Sequence, residues 1–404
     1  MRVLFISPWH PWPPDIGSRI RNSHLLRALS ERHSVSLISF AGEPWAPDAA
    51  GLADLGLCRR AVVLAQPAFS MTRLRRFLGL FSRMPSHIFA AGSPEMARAA
   101  GEILRETPAD LVIGSTIALG ELASRLPARR RVLEEHNFMG RMMFDRMRAT
   151  TSRVGRARAW ATWRKDIAYE RRLFGRFDLV TMVSEVDLAA VHDMGCATTR
   201  LEVVPNGVDA RACAVVEAEP MPDAIIYPGA LTYSANLDAV TWFTRAIWPE
   251  VRRQRPQTTF LVTGRTEGVS PSALAELGAV PGLRLTGYLS DVRPTLAGAA
   301  ACVVPLRQGG GSRLKVLEAM ALGVPVLSTA KGIEGLDVEP GRHCLVADEP
   351  EAFGAELLRL SENPALGRRL TGAALAEVVP HYDWPRLAGR FVDFVEEIAA
   401  PGAG

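Results

Sequence analysis

Short apolar runs rich in β-branched residues alternate with longer amphipathic stretches along almost the whole chain. The first half holds "RVLFIS", "SVSLISF", "AVVLA", "LVIGS", "RVLEEH" and "LVTMVS", and the second "LEVVP", "AIIYPG", "TFLVTG", "LRLTG", "ACVVPL" and "VPVLST". A run apolar at every position suits a strand covered on both faces, and alternation with helices implies parallel sheets between helical layers. The series occurs twice, which predicts an α/β protein of two doubly wound, Rossmann-like domains.

The break is expected at "LEVVPNGVD", residues 201–209, where an Asn-Gly turn follows a strand-like run and "EAEPMPD" comes soon after. Domains are therefore expected over 1–200 and 201–380. Residues 381–404 read as a final helix, with Asp383 as candidate N-cap and Phe391, Val395 and Ile398 on one stripe. That stripe suits either domain. Ligands of open α/β sheets bind beyond the carboxyl ends of the strands, so two such domains facing one another would share a central cleft.

With 404 residues, 48% of them hydrophobic and only 22% charged, the chain can bury cores for two or three domains. A net charge of +4 suits an anionic ligand or an acidic membrane surface, and no signature of nucleic-acid binding accompanies it. Five scattered cysteines without CxxC spacing argue against a disulfide framework or a zinc site, and the cytoplasm is the expected compartment. The opening "MRVLFISPWHPWPPD" has too short an apolar run for a signal-peptide core, and no run of 18 apolar residues could span a bilayer.

The segment "AACVVPLRQGGGSRLKVLEAMALG" reads as strand, loop and helix, with Ser312 as N-cap and Gly323 as the stop. Gly309, Gly310 and Gly311 let backbone N–H groups approach a ligand, and the helix end behind them favours an anion. Arg313 and Lys315 at that end are unfavourable by about 0.3–1 kcal/mol unless a negative group sits nearby. A phosphate or diphosphate accounts for them; a flexible turn with both side chains in water is the alternative. Glu318 projects within the stripe of Leu314, Leu317, Ala321 and Leu322, where a carboxylate needs a partner. A neighbouring arginine or the two hydroxyls of a ribose would serve.

The segment "GGGSRLKVLEAMALGVPVLSTAKGIEGL" resembles the donor site of the family 4 retaining glycosyltransferases of the GT-B superfamily. The resemblance covers nearly the whole chain, through "PPDIGSRIRNSHLLRAL", "EEHN", "MVSEVD", "VVPNGVD", "YPGALTYSANLDAVTWF" and "LTGYLSDVRPTLAGA" in the expected order. It implies the GT-B architecture and transfer of a sugar from a nucleotide-diphosphate sugar to a glycan, lipid-linked or small-molecule acceptor. Neither a metal nor another cofactor is implied, and the sequence has no DxD triplet.

The resemblance makes Glu318 the last Glu of the family's E-x7-E motif, which binds the ribose, while Gly310 stands where the first Glu should be. Gly229 fits the diphosphate loop after the domain's first strand, but "GALTYSANLD" lacks the Arg and Lys common there, and Arg313 and Lys315 are the candidate replacements. Tyr288 and Leu289 fall where the base is held, and Asn236 reads as a helix N-cap. In the N-terminal half, Gly17 belongs to a loop that closes over the donor phosphates, ahead of Arg19 and Arg21. His136 matches a histidine facing the transferred sugar, with Glu134 and Glu135 indistinguishable as its helpers. The implied chemistry is attack on the face from which the diphosphate leaves, that diphosphate taking the acceptor's proton.

Residues 129–172 carry thirteen Arg or Lys against five Asp or Glu, interleaved with Met142, Met143, Phe144, Trp160 and Trp163. The segment suits peripheral contact with an anionic inner membrane face, or a solvated helix. A nucleotide-sugar epimerase of the same architecture and a catalytically silent nucleotide-sugar-binding protein are the rival functions. A dinucleotide dehydrogenase is disfavoured, since no strand leads into G-x-G-x-x-G.

Overall fold

Both series of apolar runs form wholly parallel sheets in the computed structural model, which describes residues 1–41, 51–52, 55–65, 84–85, 88, 93–197, 199–311 and 313–400. The chain divides into two units, Met1–Pro205 with Leu387–Gly404, and Asn206–Arg386.

In the first unit the described strands are β1 (Arg2–Ser7), β2 (Ser34–Phe40), β3 (Arg60–Leu64), β4 (Leu111–Ser115), β5 (Arg130–Glu134), β6 (Leu179–Met182) and β7 (Arg200–Val203). Their order is β3-β2-β1-β4-β5-β6-β7, with Val3 facing Val35 on one side and Leu111 on the other. One face packs on Leu25, Leu26 and Leu29 of the helix Gly17–Arg32, together with Phe391, Val395 and Ile398 of the helix Trp384–Ala399. The apolar stripe of the last helix thus belongs to the first unit, and each of those side chains contributes about 1.5–3 kcal/mol by its burial. The opposite face packs on Met96, Ile103, Leu119, Leu173 and Phe174 from the helices Pro94–Glu106, Ile117–Arg125 and Arg153–Phe174.

One run moves from its expected series. "LEVVP" lies at the edge of the first sheet, where β7 pairs with β6 through Leu179 and Arg200. The helix Glu185–Asp193 makes the short crossover that lets successive strands lie side by side.

The second unit contains β8 (Met221–Pro228), β9 (Thr259–Thr263), β10 (Leu283–Gly287), β11 (Ala299–Val304), β12 (Val326–Ser328) and β13 (Leu345–Val346), in the order β10-β9-β8-β11-β12-β13. β13 is too short to register as an apolar run. Phe243, Trp248, Phe260 and Phe353 fill the core, with the Trp248 indole N–H donating to the Pro281 carbonyl at 2.8 Å.

Both sheets reverse their winding direction at a central pair, β1 with β4 and β8 with β11. The carboxyl ends of such a pair open a crevice between diverging loops, where ligands of this architecture bind.

The helices Met139–Ala149 and Arg153–Phe174 form a hairpin on the first unit. Glu170 ties it together, its carboxylate accepting from the N–H groups of Met139 and Gly140 at 3.0 and 2.9 Å. All five cysteines are buried and free. Among the described residues, no helix is long and apolar enough to cross a membrane.

Candidate functional site

At the switch point of the second unit, β8 ends in Tyr227 and Pro228 and is followed by Gly229, while β11 leads into the glycine loop. Gly309 and Gly311 take φ of +99° and +83°, a region that side chains rarely adopt, so glycine is required at both. The helix Leu314–Ala321 begins after Arg313, which occupies its N-cap position without a side-chain cap bond. Ser312, the expected cap, lies outside the described residues.

Arg313 is buried, and its guanidinium donates to the carbonyls of Gly309 and Gly310 at 2.9 and 3.2 Å, with Glu334 at 3.7 Å. Part of the charge expected to meet a ligand is therefore committed to bracing the loop. Gly310, standing where the resemblance calls for a carboxylate, presents a backbone acceptor to that guanidinium.

Lys315 is differently placed. Its Nζ lies 3.8 Å from the centroid of the Tyr227 ring and donates to Asn236 Oδ1 at 3.2 Å. An ideal Cβ on Gly229 would come within 2.7 Å of that Nζ, so glycine there leaves the ammonium its space. Burial pushes the Lys315 ammonium down to about 7. Three residues along the same helix, burial pushes the half-buried Glu318 carboxyl up to about 7, against the charges of Arg293 and Lys315. Its carboxylate makes no hydrogen bond or ion pair among the described residues.

Tyr288 and Leu289 follow β10, Tyr288 exposed and Leu289 half-buried. The Arg265 guanidinium, just beyond β9, stacks on the Tyr288 ring at 4.6 Å. Asn236 is not a helix cap: the helix Ser234–Ala246 starts two residues earlier, with Tyr233 at its N-cap position.

The switch point of the first unit carries a hydrogen-bonded network built on the strand ends Ser7, Ser115 and Glu134. Asn22 Nδ2 donates to Ser7 Oγ at 2.7 Å, and Ser115 Oγ donates to Glu134 Oε2 at 3.2 Å. His136 lies two residues past β5, its Nε2 at 2.9 Å from Glu134 Oε2 and its ring stacked on Trp9 with centroids 5.1 Å apart. Burial pushes the Glu134 carboxyl up, but the charges of Arg21 and His136 and their hydrogen bonds outweigh it and hold the group at about 2. An ionised Glu134 accepts a proton-bearing Nε2, which fixes the orientation of the His136 ring.

Geometry separates the two adjacent glutamates. Burial and the charge of Glu170 push the Glu135 carboxyl well up, while the Ile117 N–H at a helix start hydrogen-bonds to it. Thr116, between β4 and that helix, takes φ of +67°, strained for a β-branched residue. Gly17 begins the first helix, but the arginines after it have protein partners. Arg19 pairs with Asp15 at 2.9 Å, and Arg21 is wholly buried, pairing with Glu134 and donating to the Val204 and Pro205 carbonyls. Neither arginine lies open: Arg19 is buried against Asp15, and the chain uses Arg21 to satisfy a buried carboxylate.

The sequence model of the family described as "Glycosyltransferase Family 4" matches residues 17–212, and that of "Glycosyl transferases group 1" matches residues 222–363. The chain belongs to the family 4, group 1 glycosyltransferases.

The GT-B fold recurs in solved glycosyltransferases over nearly the full length. Sucrose-phosphate synthase from Thermosynechococcus elongatus is 18% identical with a TM-score of 0.73, covering 98% of each chain. Anabaena HepE in complex with UDP and glucose is 15% identical with a TM-score of 0.66, covering 98% of this chain and all of the other. WaaG, a glycosyltransferase involved in lipopolysaccharide biosynthesis, is 17% identical with a TM-score of 0.63, covering 97% and 99%. An "Uncharacterized 44.6 kDa protein in cps region" of Klebsiella pneumoniae is 22% identical over 164 residues, 39% of this chain and 42% of that protein's length.

In this glycosyltransferase the second unit brings Gly229, Lys315, Arg313 and the glycine loop together at one switch point, with Glu318 one helical turn farther on. Sequence reasoning missed Tyr227 and Asn236 as partners of Lys315, and Glu134 as the bridge between Arg21 and His136. Only the adjacency of Glu134 to His136 hinted at the second.

Proposed function

We propose that this glycosyltransferase takes its sugar from a nucleotide-diphosphate sugar, with the diphosphate against Lys315 and the ribose against Glu318. The supporting observation is the Lys315 ammonium at the β8/β11 switch point, which among the described residues is hydrogen-bonded only to a neutral amide oxygen and lies over an aromatic ring. A partly desolvated cation with no carboxylate in direct contact is costly, and a bound phosphate would offset that cost. Glu318 offers both carboxylate oxygens to a ribose diol. Gly229, Tyr288, Leu289 and the glycine loop complete the donor contacts proposed in the second unit, where Arg313 holds the loop; in the first unit the resemblance assigns Gly17 to the donor phosphates. His136 is assigned to the transferred sugar.

Transfer would proceed with retention. The acceptor hydroxyl oxygen bonds to the anomeric carbon, and the bond from that carbon to the diphosphate oxygen breaks with its electron pair. The departing oxygen then takes the hydroxyl proton. Lys315 and the helix N-terminus stabilise the charge that develops, so no divalent metal is required.

HepE in complex with UDP and glucose makes uridine nucleotides the first donors to test. Incubation with UDP-, GDP- and ADP-sugars, with chelator present, should release nucleoside diphosphate, and product NMR should show the donor's anomeric configuration. Recovery of an isomerised, intact nucleotide sugar would instead identify an epimerase. Binding without turnover over a panel of glycan, lipid-linked and small-molecule acceptors would favour a silent binding protein.

The hairpin supports peripheral contact with an anionic membrane face. Of the five acidic residues in 129–172, Glu134, Glu135, Asp166 and Glu170 are buried, whereas Arg153, Arg156, Trp160 and Arg164 are exposed. Their spacing puts these four on one helical stripe. Co-sedimentation with phosphatidylglycerol vesicles at low salt, lost at high salt and in Trp160→Ala, is expected; equal sedimentation with neutral vesicles would refute it.

A further inference from the structure

Asn236 joins three segments around Lys315. Its Nδ2 donates to the Ala230 carbonyl at 2.8 Å, while its Oδ1 accepts from the Tyr227 hydroxyl at 2.6 Å and from Lys315 Nζ at 3.2 Å. An ammonium can only donate and a carbonyl can only accept, so these contacts fix which end of the amide is oxygen. We propose that Asn236 is the positioning residue that aims the Lys315 ammonium at the donor diphosphate, a role that rests on the reading of Lys315 given above.

A neutral acceptor suits that task. It holds the ammonium in place without cancelling its charge, whereas a carboxylate at the same point would form an internal ion pair in competition with the ligand. One N–H is directed to Asn236 and the Tyr227 ring faces the cation, which leaves donors for phosphate oxygens. The space also selects lysine. With Gly229 so close, a compact tetrahedral ammonium fits where a planar guanidinium would need several coplanar acceptors. Lys315 is one of only three lysines in the chain, beside 44 arginines, so a lysine here runs against the chain's own usage.

Asn236 acts through Lys315, so its effect should depend on Lys315. Calorimetric titration with UDP, GDP and ADP selects the tightest nucleoside diphosphate, which is then compared with its parent nucleoside. Asn236→Ala should weaken the diphosphate about tenfold, the loss of one hydrogen bond to a charged group. Nucleoside binding should be unchanged. The isosteric Asn236→Asp should weaken the diphosphate further, by pairing with Lys315. The Asn236→Ala effect should vanish in a Lys315→Met background. Without any ligand, acetylation followed by mass spectrometry should show Lys315 reacting faster in Asn236→Ala, with Lys165 and Lys331 as internal references.

Equal weakening of nucleoside and diphosphate, or an undiminished effect in the Lys315→Met background, would overturn the proposal in favour of a merely structural asparagine. Unchanged diphosphate affinity in Lys315→Met, with altered Lys315 reactivity in Asn236→Ala, would remove the diphosphate reading while leaving Asn236 as the anchor of Lys315.

Discussion

The Arg21 guanidinium and the Glu134 carboxylate form an ion pair in which neither side chain is exposed, and the same carboxylate reaches the His136 imidazole. Arg21 also donates to the Val204 and Pro205 carbonyls, so one buried group links the first helix, the end of β5 and the segment after β7. Such a pair contributes little over a well-packed apolar substitute, but losing one partner strands the other charge.

Glu134→Ala is accordingly expected to cost about 3–5 kcal/mol, read as a lower urea midpoint at pH 7. The sign with pH follows from the depressed carboxyl. With a folded value of about 2 against an ordinary 4.5, its contribution is present above 4.5 and is lost as pH falls toward 2. The gap between wild type and variant should therefore narrow in that window.

Asp166 has the opposite sign. Burial pushes its carboxyl up to about 7 against the pull of Lys165, so the folded state holds a proton that the unfolded chain releases near 3.8. Its contribution is complete below 3.8 and is lost as pH rises through 7. Asp166→Asn should raise Tm at pH 8 and flatten the fall between pH 5.5 and 8, by roughly 2–4 °C for each kcal/mol recovered. Scanning calorimetry at both values checks this.

The two sheets were legible because both faces of a parallel strand demand apolar residues, a signal that survives in single short runs. Assigning β7 to its sheet was not, because an edge strand looks the same whichever sheet it joins. The glycine loop with cations at the helix start was legible, since that pattern reflects local backbone geometry. Which cation faces outward was not: Arg313 turns onto its own loop, and Lys315 finds Tyr227 and Asn236 some 80 residues back along the chain. Arg21 misled for the same reason, since its partner lies 113 residues away.

Nucleotide affinity should peak near pH 7. Lys315 and Glu318 both stand at about 7, displaced by burial in opposite directions. A diphosphate needs the ammonium, so affinity falls as pH rises above 7, by at most about tenfold per unit. A ribose diol needs the carboxylate as acceptor, so affinity also falls as pH drops below 7. Glu318→Gln should abolish the acidic limb and Lys315→Met the alkaline one, in titrations from pH 5.5 to 8.5.

Two glycines of the second unit should respond differently to alanine. At Gly264, with φ of +114°, a Cβ would meet the backbone of Gly229 and Ala230 at 2.6–2.8 Å, and neither strain nor clash can relax through a side chain. Gly264→Ala should lose roughly 1–3 kcal/mol or more of stability, along with binding. At Gly229 the backbone is ordinary, and the closest atom to a new Cβ is the far end of Lys315, with Asn236 Nδ2 next at 2.9 Å. Gly229→Ala should therefore keep its Tm within a few degrees yet bind nucleoside diphosphate about tenfold less tightly, as the displaced ammonium leaves its cradle. A stable Gly229→Ala protein of undiminished affinity would show that the position of Lys315 does not govern diphosphate binding.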